Sequence, residues 1–185
     1  MRIVGGTFKG RTLAAPSDQS TRPTSDRARE AVFNILSHGI DGFTLEGVRV
    51  MDLFAGTGAL GLEAISRGAR FCQFVDEGTE ARGLIRRNAD ALGVIGQVKI
   101  WRRDATKLGP CAPQTPFDLV FADPPYGKGL GERALGSLVE GQWLSANAMA
   151  VLEEKAEVQV AEVPGLTLLD MRLYGDTQVR FYRAA

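Results

Sequence analysis

Residues 48–54 form an apolar run with a β-branched core that stops abruptly in glycines. The stretch reads Asp52-Leu53-Phe54-Ala55-Gly56-Thr57-Gly58-Ala59-Leu60-Gly61, and a helical pattern begins at once. Few folds accept such a junction. It is the strand–glycine loop–helix turn of a nucleotide-type α/β sheet, in which glycines let the backbone approach a ligand where a Cβ would collide.

The rest of the chain continues the alternation. Helical spacing covers 60–67, closed by Gly68, and 79–92, ended by Gly93; Gly83 inside the second costs about 1 kcal/mol relative to alanine. Strands are expected at 71–76, 97–101, 117–122 and 148–153, with a Pro-rich loop at 109–116 and a helix on Leu130, Ala134, Leu135 and Leu138. The 117–122 segment is nearly all apolar, which suits a central strand covered on both faces. Segments 166–174 and 177–183 flank Gly175-Asp176, a hairpin turn. The expected architecture is therefore an α/β, Rossmann-like, mostly parallel sheet with an antiparallel edge hairpin.

Ahead of this lie residues 1–24, which read as a glycine-turned hairpin over 2–13 and a loop over 14–24. They carry four basic groups (Arg2, Lys9, Arg11, Arg22) against one acid, Asp18. Ser25 is a helix N-cap, and 26–37 has the apolar spacing of an amphipathic helix. The division expected is a small basic N-terminal part, 1–24, and a single α/β domain, 25–185.

Composition narrows the function. With 44% hydrophobic and 24% charged residues, the chain can bury a sizeable core. Its formal net charge of zero gives no global basic field, so any nucleic acid would have to meet a local patch. No apolar run approaches the roughly 20 residues of a membrane span, and no signal-peptide core opens the chain; a cytoplasmic location is expected. Two cysteines, Cys72 and Cys111, make neither a disulfide framework nor a metal site. With His38 the only histidine, a histidine-based metal site or a serine–histidine triad is disfavoured. No metal is expected.

Gly56-x-Gly58-x-x-Gly61 alone admits a dinucleotide or S-adenosylmethionine, or a tight turn with no ligand. Asp52 favours the second. An ammonium and a sulfonium suit a neighbouring carboxylate, whereas a pyrophosphate would be repelled. The other role open to Asp52 is structural, bonded to loop amides. Asp76 follows the second strand, where it can accept ribose hydroxyls, and Asp104 follows the third, within reach of an adenine amine. These acids converge on the crevice at the carboxyl ends of the strands.

After the fourth strand comes Asp123-Pro124-Pro125-Tyr126. Two prolines stiffen the backbone and remove two donors. Asp123 and the Pro124 carbonyl are left as preset acceptors for a planar amino group, with Tyr126 to stack on an extruded base. Gripping both amine hydrogens favours the pyramidal geometry that frees the nitrogen lone pair.

Residues 52–61 resemble motif I, and Asp123-Pro124-Pro125-Tyr126 motif IV, of amino-group methyltransferases dependent on S-adenosylmethionine. The N-terminal part is more specific. Arg2-Ile3-Val4-Gly5-Gly6, Gly10-Arg11-x-Leu13 and Arg22-Pro23-Thr24-Ser25-Asp26-Arg27-x-Arg29-Glu30-Ala31-x-Phe33-Asn34-Ile35-Leu36 resemble the RsmD family of bacterial 16S rRNA guanine-N2 methyltransferases. The resemblance implies the sheet order 3-2-1-4-5-7-6 and methylation of one guanine amine, presented on a small-subunit ribonucleoprotein particle. It implies cofactor contacts from Asp52, Phe54, Gly56, Thr57, Gly58, Asp76, Asp104, Ala105 and Asp123, and catalysis by Asp123, Pro124 and Tyr126. RNA contacts are expected from Arg2, Lys9, Arg11, Arg22, Thr24 and Arg27, with Arg29 either beside them or on a solvated helix face, and the enzyme is expected to be a monomer. The competing readings are a DNA adenine-N6 or cytosine-N4 methyltransferase, another RNA amino-group methyltransferase, a nicotinamide-dependent oxidoreductase, and a non-catalytic RNA-binding assembly factor. Labelled cofactor with naked DNA or small-subunit particles separates the enzymes; binding without turnover would mark the last.

Overall fold

A computed structural model describes residues 1–17 and 25–185, so Arg22 and Thr24 lie outside the described residues. The elements run α1 (Asp26–His38), β1 (Arg49–Leu53), α2 (Ala59–Ser66), β2 (Phe71–Val75), α3 (Thr79–Ala91), β3 (Val98–Trp101), β4 (Phe117–Ala122), α4 (Leu130–Glu140), β5 (Leu144–Lys155), β6 (Leu166–Tyr174) and β7 (Thr177–Ala184). The seven strands order as β3-β2-β1-β4-β5-β7-β6, the order the resemblance implied. β1 to β5 pair in parallel, and β7 runs antiparallel between β5 and β6. Among the described residues, no helix is long and apolar enough to cross a membrane.

Strand alternation divides the core between the two sheet faces. Val50, Phe74, Phe121, Val151 and Phe181 point to one face, where Phe33 of α1, Leu62 of α2 and Ile85 of α3 meet them. Phe33 and Phe121 are 5.4 Å apart between ring centroids, fixing α1 over β4. Met51, Val120, Ala150 and Tyr182 point to the other face, under Leu135 and Leu138 of α4 and Trp143. Ser25 caps α1 as expected, its hydroxyl accepting from the Ala28 amide at 3.1 Å.

Two expectations are corrected. β5 begins at Leu144, not at 148. Its first residues are partly exposed and polar, and a register shift lies between Phe117 and Leu119, so no apolar alternation marks the entry. Ser145 instead ties this end to β4 through the Asp118 carboxylate at 2.7 Å. At the N-terminus, two regular strands do not form; a single antiparallel bridge joins Arg2 and Thr12. The segment is held both by itself, the Ile3 amide donating to the Arg11 carbonyl and the Leu13 amide to the Met1 carbonyl at 2.9 Å each, and by α2. The Val4 and Gly5 amides donate to Glu63, the Phe8 amide to the Ser66 hydroxyl, and the Thr7 amide to the Ser66 carbonyl. An isolated two-stranded hairpin is marginal in water. Here the buried Ile3 and Leu13 join the core and add packing to the few bonds between the arms.

Candidate functional site

β1 and β4 are neighbours in parallel register, Leu53 opposite Ala122. The next residue of each strand, Phe54 and Asp123, therefore leaves the sheet side by side. The glycine loop and the Asp-Pro-Pro-Tyr loop thus start from adjacent positions at the carboxyl edge.

The glycine loop is a bent and braced structure. Phe54 has φ +55°, a conformation rare for an aromatic side chain, and Gly56 and Gly58 follow at +59° and +81°. A Cβ at Gly56 would meet nothing within 4 Å, so the loop faces open space there. Gly61 is different. A Cβ would fall 2.5 Å from the Cys72 Sγ and from a Phe74 ring carbon, so α2 lies against β2 only because the side chain is missing. Gly61→Ala is expected to lower stability by about 1–3 kcal/mol through overpacking, read as a lower urea midpoint. An unchanged midpoint would show that α2 moves off the sheet freely.

Asp52 is 1% exposed and accepts the Gly61 amide at 3.0 Å. Burial pushes its carboxyl well above the usual carboxylate range, partly opposed by the Gly61 bond, and the nearby Asp76 charge raises it further. Of its two sequence-level roles, the structure displays the structural one, a carboxylate holding the start of α2 under the loop.

Asp76 accepts the Gly56 amide at 3.0 Å through one oxygen and the Gly78 amide at 2.8 Å through the other. This ties the ends of β1 and β2 together and aims the carboxylate at the crevice. Each carboxylate oxygen has a further lone-pair site, so the diol of a ribose fits the remaining capacity. Asp104 accepts both the amide and the hydroxyl of Thr106 on Oδ1, at 2.9 and 2.7 Å. These bonds hold its pKa below the usual carboxylate value. Ala105 is buried in the core beside Leu108, so only its main chain can face a ligand. Thr57 is nearly buried, its hydroxyl accepting the Ala59 amide at 3.3 Å and lying 3.6 Å from the Met1 sulfur.

Asp123 is half-buried, Pro124 buried and Pro125 exposed. Tyr126 is fixed at its far end. Its hydroxyl donates to Glu153 Oε1 at 2.8 Å and lies 3.4 Å from the Thr177 hydroxyl. Burial first, and then the Glu153 charge, push the phenol pKa up, so the ring is a neutral platform with no role as a base at neutral pH. A cavity of about 490 Å³ opens beside it, bounded by α1 on one side and the β6–β7 turn on the other.

Of the basic residues expected to contact RNA, Arg27 lines this cavity. Arg2 and Lys9 are exposed on the N-terminal segment, and Arg11 caps α3 by donating to the Ala91 carbonyl at 2.7 Å. Arg29 does not lie on a solvated helix face. It is fully buried, paired with Glu63 at 3.2 Å and Asp26 at 2.9 Å.

Three groups of the site escaped the sequence reading. Asn88 of α3 donates to the Thr57 carbonyl at 2.9 Å and to the Ala14 carbonyl, and accepts the Ala14 amide. It thereby locks the glycine loop to the N-terminal segment, and an asparagine amid a helix gives no advance sign of this. Glu63 reads as one polar residue of an amphipathic helix. Glu153 carries a signal in the sequence, because it closes the strand expected at 148–153 as Asp76 closes the one at 71–76, although β5 runs on to Lys155.

A family model described as conserved hypothetical protein 95 matches residues 1–183. The chain is 36% identical to a candidate rRNA methyltransferase of Bacillus subtilis strain 168, YlbH, over 99% of this chain and 98% of the relative. It is 32% identical to ribosomal RNA small subunit methyltransferase D of Escherichia coli strain K12, over 99% and 89% of the two chains. The solved structure of a candidate methyltransferase, yhhF from Escherichia coli, superposes with a TM-score of 0.85 at 30% identity, covering 100% of this chain and 97% of that one. A match along nearly its entire length, with relatives of this identity, establishes that the chain belongs to the family described as conserved hypothetical protein 95, the RsmD family that its N-terminal residues resemble.

Proposed function

We propose that this protein transfers a methyl group from S-adenosylmethionine to the exocyclic N2 of one guanine in 16S rRNA. The substrate would be a small-subunit ribonucleoprotein particle, met in the cytoplasm by a monomeric enzyme. One observation carries the reading: the glycine loop and Asp123-Pro124-Pro125-Tyr126 leave adjacent parallel strands from paired positions. A methyl donor on the first and an amine on the second would be neighbours. The names of the relatives support ribosomal RNA as the acceptor.

The residues at the strand ends suit this cofactor. The open face above Gly56 accepts a ligand closely, Asp76 offers acceptors to a ribose diol, and Asp104 offers its carboxylate to an adenine amine. Bound S-adenosylmethionine supplies an electrophilic methyl group on a sulfonium. The chain's own part is to bind, orient and exclude water. Asp123 and the Pro124 carbonyl accept the two amine hydrogens and turn the lone pair outward, while Tyr126 supports the base. Positioning of this kind supplies much of the rate. Asp123 need not be a strong base, because the amine becomes acidic only once methylated.

The test is methyl transfer from labelled cofactor to small-subunit particles from cells lacking the protein, with the label mapped on the rRNA and naked DNA as the control. Label at one guanine N2 supports the reading. Label in DNA, at another base, or nowhere overturns it.

Asp52 gives a second expected result. The folded protein holds the Asp52 proton more tightly than the unfolded chain does. Its contribution therefore favours the fold at low pH and is lost as pH rises above the ordinary carboxylate value toward the raised one. A cationic ligand nearby reverses the preference. Cofactor affinity should rise with pH across that window, by at most about tenfold per unit for one proton. Asp52→Asn keeps an acceptor for Gly61 and should flatten the profile. Calorimetry in buffers of different ionisation heat would register the released proton, and parallel profiles for the two proteins would rule out a charge role.

A further inference from the structure

We propose that the cavity beside Tyr126 seats the target base, and that Glu153 reads it as guanine by accepting the hydrogen on ring nitrogen N1. The inference rests on the amine-methylation reading above and adds the group that selects the base.

Register places the carboxylate. Ala122 of β4 pairs with Leu152 of β5, so Asp123 and Glu153 stand side by side, one residue further along. Phe121 and Val151, two residues earlier on each strand, both face the core beneath α1. Alternation brings Glu153 to that same face, and Asp123 follows directly on the last residue of β4. The cavity there is lined by Arg27 and Ala28 of α1, by Tyr126 and Glu153, and by Tyr174 and Thr177 of the β6–β7 hairpin. Its volume of about 490 Å³ falls within the range of small-ligand pockets. Two phenol rings offer stacking surface, and Arg27 on the cavity wall offers a cation to a flanking phosphate.

The chemistry of the bases makes Glu153 selective. The amine of adenine, on C6, neighbours ring N1, a bare acceptor, and that of cytosine, on C4, neighbours N3, also a bare acceptor. Guanine N2 alone has a ring N–H beside it. If Asp123 and Pro124 hold the amine hydrogens, a carboxylate next to Asp123 meets N1–H in guanine and a repelling lone pair in the other two. A carboxylate has about four lone-pair sites, so holding the Tyr126 hydroxyl is compatible with accepting this donor. A site built around such a bond rejects a base lacking the donor far more strongly than an apolar pocket rejects a misfit.

Full-length wild-type protein, Glu153→Gln and Tyr126→Phe would be assayed on small-subunit particles, with cofactor binding measured in parallel. Glu153→Gln keeps an acceptor for the Tyr126 hydroxyl yet loses the charge. It is expected to bind cofactor normally while kcat/KM falls by about 10²–10³-fold. Tyr126→Phe, which removes the hydroxyl's contacts with Glu153 and Thr177 but keeps the ring and the Glu153 charge, should cost much less. Were Glu153 merely the anchor of Tyr126, Glu153→Gln would be near wild type and Tyr126→Phe the worse variant, and the proposal would fail. A second measurement needs no variant. The mapped target guanine is replaced by 2,6-diaminopurine, which keeps the N2 amine but has a bare N1. Wild-type enzyme should lose about 10²–10³-fold on this substrate, and Glu153→Gln, whose amide can donate to N1, should lose less. Equal rates of the wild type on both bases would overturn the assignment, even if Glu153→Gln failed to fold. Failure of the wild type to methylate any particle would instead sink the methyltransferase reading itself.

Discussion

Glu63→Ala is expected to remove about 3–5 kcal/mol of folding stability, the cost of breaking a buried ion pair by removing one member. Glu63 is fully buried on α2 and gathers four donors. It accepts from Arg29 Nε at 3.2 Å, from Arg67 Nε at 2.8 Å, and from the Val4 and Gly5 amides at 3.0 Å each. Arg29 is equally buried, also pairs with the half-exposed Asp26, and would lose the carboxylate that meets its Nε. Two main-chain amides of the N-terminal segment would lose their acceptor as well. Since a domain of this kind has roughly 5–15 kcal/mol in total, much of its margin would go. Glu63→Gln keeps one acceptor oxygen and should cost less. A double variant, Glu63→Leu with Arg29→Met, removes both charges together and should recover part of the loss. Urea unfolding decides. A loss under about 1 kcal/mol for Glu63→Ala would mean that water reaches Arg29 and that the network is not a closed interior one. The network also bears on function, because it joins α1, which walls the cavity, to α2, which carries the glycine loop.

The strand and helix pattern of residues 48–140 was legible because period and punctuation agree there. Helical runs end in glycine, and β4 has the bounds that its nearly all-apolar run implies. Asp123-Pro124-Pro125-Tyr126 was legible because two prolines leave so few conformations. What was not legible depends on partners distant in sequence. Arg29 looks like any helix-surface cation until Glu63 is brought beneath it from 34 positions away. Asn88 lies 74 residues from Ala14, which it ties down. The N-terminal hairpin stops at a single bridge for the same reason, since the amides of Val4, Gly5, Thr7 and Phe8 bond to α2. Asp52 shows the limit from the other side. Its position below the loop was read correctly, but sequence could not choose between a carboxylate facing a ligand and one bonded to Gly61.

Asp123→Ala is expected to lower kcat on small-subunit particles by about 10²–10³-fold, the range found when one preorganised hydrogen-bonding group is removed from a reacting centre. The fold should survive, because Asp123 stands beyond the end of β4 and its neighbours Ala122 and Pro124 are held in the core and by the proline ring. The informative comparison is with Asp123→Asn. An acceptor that grips an amine hydrogen needs an oxygen in the right place, and asparagine keeps one. A general base needs a group that takes a proton, and asparagine is as inert as alanine. If Asp123 works by alignment, Asp123→Asn retains activity well above Asp123→Ala and its rate stays flat across neutral pH. If the two variants are equally inactive, and the wild-type rate rises with pH through a carboxylate titration, proton removal is the role and the alignment account is wrong. Alignment is favoured by the surroundings of the group. The two prolines that follow Asp123 fix its backbone, and Tyr126 is pinned through Glu153 and Thr177, so acceptor and platform are set before the base arrives.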